Sequence, residues 1–222
     1  MKKIFTIIAL SVAGIVANGQ GFIITSQVSA AVKTNTAAFS PGSQGSGTSG
    51  NVATTANQYF YALLYSSGSL TGSSAPTNSG WTVVTKDGGA FLGITNSSIL
   101  AGGIAGTGGS GGVAINAAAG TPINVELVGW SASLGGATAI SSVLSQFSTG
   151  SWIANGFFNY SAVSSMTPFA TAGTGDPFIF PTAYANGSFS LYSVAVAPTP
   201  EPGTMALAAL GGASLLLFRR RK

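Results

Sequence analysis

Residues 59–65, Tyr59-Phe60-Tyr61-Ala62-Leu63-Leu64-Tyr65, set the architecture. In an extended chain Tyr59, Tyr61, Leu63 and Tyr65 line one side, and Phe60, Ala62 and Leu64 line the other. Neither side carries a charge. A strand of this kind belongs in the middle of a sheet that is covered on both faces.

Other short runs on either side of it have the same character. Residues 22–32 (F-I-I-T-S-Q-V-S-A-A-V) are β-branched and partly alternating, and read as one or two strands. Residues 81–85 and 90–94 flank Lys86-Asp87-Gly88-Gly89, where Asp-Gly signals a hairpin. Residues 113–115 and 123–130 (I-N-V-E-L-V-G-W) give two more strands around Gly120-Thr121-Pro122. Aromatic-rich stretches occupy 152–160 and 177–181, and 187–197 reads as the closing strand. Residues 41–50 and 101–112 are Gly-rich loops. Only residues 139–147 break the pattern: Ile140, Val143, Leu144 and Phe147 recur at i, i+3, i+4 and i+7, the spacing of a short amphipathic helix. The expectation is a mainly β body, a β-sandwich or jelly roll with one short helix insert.

Charge narrows the range of functions. The chain has 222 residues and a formal charge of +4, yet only 5% of its residues are charged, against about 25% in ordinary soluble proteins. Six of the eight Lys and Arg sit at the ends: Lys2, Lys3, Arg219, Arg220, Arg221 and Lys222. Between residues 20 and 199 the charged groups are Lys33, Lys86, Asp87, Glu126 and Asp176, so that 2 − 3 gives −1. No basic face is left for a phosphate backbone, and nucleic acid is not an expected partner. There is no cysteine and no histidine. That removes disulfides, Ser-His and Cys-His nucleophiles and His-ligated zinc, so no catalytic residue, metal or cofactor is assigned.

The remaining motifs have bland readings beside the sharp ones. Gly106-Thr107-Gly108-Gly109-Ser110-Gly111 matches G-x-G-x-x-G, but its flanks are Gly-rich and residues 113–115 after it look like a strand, so it reads as a loop. Asp87, Glu126 and Asp176 just suffice in number for a glycosidase pair, although Asp87 and Asp176 occupy turn-like positions. Glu126, inside an apolar strand, must face solvent or be paired, and a solvated strand face is the expectation. Trp81, Trp130 and Trp152 could stack on sugar rings in a carbohydrate-binding module, but they fit core positions more readily. Asn96, Asn159 and Asn186 stand in N-x-S sequons that arise easily by chance in an Asn- and Ser-rich chain.

Both ends read as addresses. Residues 1–19 have the charged start, the apolar stretch at 4–16 and the small residues Ala17 and Gly19 of a signal peptide, which makes signal peptidase a partner and Gln20 the new terminus. Residues 20–197 then form the exported body. Residues 198–222 begin with the proline-rich hinge P-T-P-E-P-G and pass into an apolar run containing Thr204, Leu207, Leu210, Leu215, Leu216, Leu217 and Phe218. They close on Arg219, Arg220, Arg221 and Lys222. As a helix, the 15 residues 204–218 would span about 22 Å, short of a hydrocarbon core. The basic cluster would therefore snorkel to the cytoplasmic headgroups and hold the protein transiently at the inner membrane.

Pro200-Glu201-Pro202, the Gly/Ala/Leu-rich run and the basic end together resemble the PEP-CTERM sorting signal of Gram-negative bacteria. The resemblance covers residues 198–222. It implies that a membrane-embedded exosortase recognises the tail through Pro200, Glu201 and Pro202 and cleaves near them. It also implies delivery to the cell surface or extracellular matrix, often beside exopolysaccharide. The two addresses, the absent His and Cys and the near-neutral body make a non-enzymatic protein the expectation.

Overall fold

The computed structural model describes residues 20–23, 32–40, 49–52, 54–68, 75–77, 79–86, 89–99, 101–106, 112–170 and 189–196, together with 207, 210 and 211. The signal peptide and nearly all of the tail lie outside these residues, as do Asp87, Asp176 and the aromatic stretch at 177–181.

Two long strands form the axis. They are β4 (Tyr59–Ser66) and β9 (Ile123–Ser131), joined antiparallel over eight residues from Tyr59↔Ser131 to Ser66↔Asn124. On the far side of β9, β10 (Gly156–Tyr160) pairs with its C-terminal half and β11 (Ser164–Met166) with its N-terminal half. Ser161 spans the gap between them: its N–H donates to the Leu127 carbonyl, and its hydroxyl accepts from the Leu127 N–H at 2.9 Å. On the far side of β4 lie β6 (Ile94–Asn96) and β5 (Thr82–Val83). β12 (Phe189–Val194) continues outward from β10, and β2 (Val32–Ala38) joins β12 in parallel. The edges are β3 (Ser49–Asn51), paired with β2, and β7 (Ile104–Ala105), paired with β6. The predicted hairpin is present in short form, as a Thr85↔Phe91 bridge with the Lys86 N–H donating to the Ala90 carbonyl.

The sheet curls until its two edges meet. The Val32 N–H donates to the Gly102 carbonyl at 2.8 Å, and the Gly102 N–H donates to the Val52 carbonyl at 3.0 Å. Gly102 sits at φ +80°, where a side chain would be strained, so glycine makes this junction possible. Closing the edges satisfies backbone groups that an open sheet would leave free. A separate two-stranded ribbon, β1 (Gln20–Ile23) with β8 (Val113–Ala118), contributes Ile23, Ile115 and Ala117 to the enclosed core.

Alternation along β4 and β9 therefore feeds two cores. Tyr61, Leu63, Val125 and Leu127 point into the curl and meet Ile94, Ile104, Phe189 and Leu191. Phe60, Ala62, Leu64, Val128 and Trp130 point outward. They are covered by α1 (Ile140–Thr149) through Ile140 and Val143. The helix matches the spacing read from sequence; it ends at Gly150 in the left-handed conformation (φ 64°), and the Gln146 amide joins it to the Leu134 carbonyl.

The structure bears out a mainly β body, with one α-helix among its described residues. The described residues do not supply the two comparable facing sheets of a sandwich or jelly roll. One curled sheet is packed inside by its own residues and those of the β1–β8 ribbon, and outside by the helix.

Candidate functional site

Glu126 is the acid that the structure places most clearly. It pairs across β4 with Leu64, lies on the outward face, and is wholly inaccessible to solvent. Neither carboxyl oxygen has a hydrogen-bond partner. This corrects the expected solvated strand face: the side chain is neither exposed nor paired. Burial pushes its pKa up to about 9, so at neutral pH it is a neutral carboxylic acid. The Tyr160 hydroxyl is pushed up as well, first by burial and then by Glu126. A protonated carboxyl closed to solvent cannot meet a glycan. Asp87 and Asp176 lie outside the described residues, and these contain no group of three or more acids that could hold a metal.

The tryptophans do not form a platform. Trp130 is fully buried against Phe60, and its indole Nε1 donates to the Gly135 carbonyl at 3.1 Å. Trp81 and Trp152 pack against the same outward core, Trp152 beside Phe158 with ring centroids 5.2 Å apart. Phe39, Phe147, Phe158 and Tyr160 complete an aromatic cluster between helix and sheet. The sequons fare similarly. Asn96 is 1% exposed, and its amide is committed to the Thr55 carbonyl and to the Gln58 and Tyr59 N–H groups. The Asn159 amide is donated to the Ser190 carbonyl.

Sequence reasoning missed a cleft of about 430 Å³ at one end of the curled sheet. One row of inward-facing residues crosses four adjacent strands there: Tyr59 on β4, Ser131 on β9, Phe157 on β10 and Ser193 on β12. The Tyr59 and Phe157 rings stand 6.4 Å apart and are tilted by 53°. Polar groups surround them, with the Ser131 and Ser133 hydroxyls paired at 2.9 Å and Gln58 and Asn155 at the rim. Among the described residues no charged one lines the cleft.

The row is held by its backbone. Asn96 accepts from the Gln58 and Tyr59 N–H groups at 3.0 and 3.1 Å. The Thr95 hydroxyl donates to the Tyr59 carbonyl, and the Ser131 Oγ accepts from the Phe157 N–H at 2.9 Å. Gly156 is required by packing here, since a Cβ would fall 2.5 Å from both Ser131 Oγ and Ser133 Oγ and 2.9 Å from Leu134 Cγ. One rung deeper lies Tyr61, 3% exposed, whose hydroxyl has no partner. Burial raises its pKa, and the neighbouring Tyr59 adds to the shift. No linear signal announces the cleft, because the row becomes contiguous only through strand pairing.

Of the tail, Leu207, Leu210 and Gly211 are described: all three are helical and exposed. Among the described residues no helix is long and apolar enough to cross a membrane. The sorting residues Pro200, Glu201 and Pro202, the basic residues 219–222 and the signal-cleavage residues Ala17 and Gly19 lie outside them.

Comparison with known families identifies the tail. Residues 198–222 match the PEP-CTERM protein-sorting motif, and the chain is a PEP-CTERM domain-containing protein in the sense that it carries that motif. The motif implies export and exosortase-dependent, membrane-anchored sorting in Gram-negative bacteria. The match spans 25 of the 222 residues and assigns no family to the body. Neither a curated protein nor a solved structure matches the chain.

Proposed function

We propose that the chain is an exported, non-enzymatic cell-surface or extracellular-matrix protein, with residues 20–197 as cargo and 198–222 as a removable sorting handle. The observation that carries this reading is the PEP-CTERM match. The layout of the body supports it. The last core residue of β12 is Val194, and the Val196 N–H donates to Asn155 Oδ1 at 3.1 Å, so the final strand is tied down before the hinge begins. Removing residues beyond 197 takes away none of the described core residues, whose last member is Val194. The apolar run at 204–218 holds the precursor at the inner membrane until exosortase acts near Pro200, Glu201 and Pro202.

Mass spectrometry of the mature protein from cells tests both ends at once. Gln20 is the expected start, and the chain is expected to stop near Pro200–Pro202. Recovery of intact 219–222 on matrix-associated protein overturns processing. Replacing Pro200, Glu201 and Pro202 together by Ala should trap the precursor at the membrane, and unchanged release overturns the sorting reading.

A second reading, a carbohydrate-binding module, is favoured by the cleft at the sheet's end, which offers aromatic faces and hydroxyls without charge.

A further inference from the structure

We infer that the mouth of the curled sheet, at the Tyr59–Ser131–Phe157–Ser193 row, binds an uncharged, polyhydroxylated ligand: a sugar unit of a neutral glycan. This rests on the carbohydrate-binding reading and deepens it by naming the site and the ligand's charge.

The chemistry of the lining selects the class. An anionic sugar needs a cation or a dense set of N–H donors, and a cationic ligand needs a carboxylate; the row has none of these charges. It offers two partly buried rings and four kinds of neutral polar group: serine hydroxyls, a phenol, an asparagine amide and a glutamine amide. A pyranose presents C–H patches that pack on rings and hydroxyls that exchange hydrogen bonds with such groups. A cleft of about 430 Å³ falls within the usual range for small-molecule sites.

The fold also prepares the site. Asn96, Thr95 and Ser131 fix the backbone of the row in the unliganded chain, which lowers the ordering cost of binding. Gly156 lets the Ser131 and Ser133 hydroxyls pack closely against β10, which holds them in place at the cleft wall.

The test uses the full chain purified in detergent, titrated by calorimetry with cellohexaose, laminarihexaose and maltohexaose, and with a polygalacturonate hexamer as the anionic comparison. At least one neutral hexamer should bind with millimolar affinity or better, and the anionic one at least 10-fold more weakly. Phe157→Ala should weaken the neutral ligand at least 10-fold. Because Phe157 also touches the inner core, Ser133→Tyr is the second variant: Ser133 is exposed, and a bulky ring there should occlude the cleft without disturbing the fold. Trp81→Phe, on the outward face, should leave binding unchanged. No binding by any neutral hexamer, stronger binding of the anionic one, or undiminished binding in a folded Ser133→Tyr variant overturns the proposal. None of these results depends on sorting, which the release assay of the Pro200-Glu201-Pro202 variant reads separately.

Discussion

The two faces of the β4–β9 ladder come from the same 17 residues, eight on one strand and nine on the other, and they solve different problems. The inward face sets Tyr59, Tyr61 and Tyr65 among Leu63, Val125 and Leu127, and turns polar at the mouth with Ser131. The outward face sets Phe60 and Trp130 beside Ala62, Leu64 and Val128 under a helix, and one rung further holds the acid Glu126 opposite Leu64. An enclosed curl fills by interdigitating branched side chains. The outward face is closed instead by a helix, whose Ile140 and Val143 pack on it. Alternation alone reveals that both faces are covered; it does not reveal which one is closed by the sheet itself.

The greatest loss should come from a test of whether the outward face is a core in its own right. Trp130→Ala removes a fully buried indole and its hydrogen bond to the Gly135 carbonyl, and should lower the free energy of unfolding by about 4 kcal/mol. On the inward face, Ile94→Val removes one buried methylene and should cost about 1 kcal/mol. Urea unfolding of both variants gives the comparison. Equal losses would mean that the helix-covered face contributes little.

The next effect uses the acid on that face. The Glu126 carboxyl has its pKa raised from 4.5 to about 9 in the folded protein. Between those values the folded state keeps a proton that the unfolded chain releases. Stability is therefore highest below pH 4.5, falls as the pH rises and levels off above about 9. The slope is at most about 1.4 kcal/mol per pH unit, so the loss from about pH 5 to about pH 7.5 should be about 3 kcal/mol. Glu126→Gln cannot ionise and should flatten that dependence. Parallel curves for the two proteins in denaturant titrations at the two pH values would show that Glu126 is not the buried acid responsible.

Legibility in the sequence depends on where each signal resides. β4, β9 and α1 can be read because their residues carry their own periodicity, in Tyr59–Tyr65 and in Ile140, Val143, Leu144 and Phe147. β3 cannot be: Ser49, Gly50 and Asn51 are exposed and bring no apolar side chain, so the strand exists through the hydrogen bonds of β2. β7 is hidden in a Gly-rich stretch whose role depends on Gly102 reaching the opposite edge. Glu126 departs from expectation because solvent exposure and pairing leave out a third outcome, protonation. The cleft is invisible because its four central residues come from four strands distant in sequence. The tail is readable in full because an address recognised as a linear peptide must be written contiguously.

The mildest effect probes how tightly the inward face is filled just below the mouth. Gly129 lies on β9 opposite Tyr61, one rung in from Ser131. A Cβ there would come within 2.8 Å of Leu191 Cδ2, 2.9 Å of Phe189 Cε1 and 3.1 Å of Tyr61 Cδ1. The chain has placed side chains where another strand residue would keep its own, so the glycine is required by packing. Gly129→Ala should therefore overfill the curl and cost about 1–2 kcal/mol in urea unfolding, despite the better strand propensity of alanine. The outward face offers the contrast: Ser145→Ala, on the exposed side of α1, should change stability by less than about 0.5 kcal/mol. If Gly129→Ala proves neutral, the rung beneath the cleft has slack and packing does not require the glycine. If it destabilises as expected while neutral-glycan affinity falls with it, Tyr61 and the mouth are mechanically one unit.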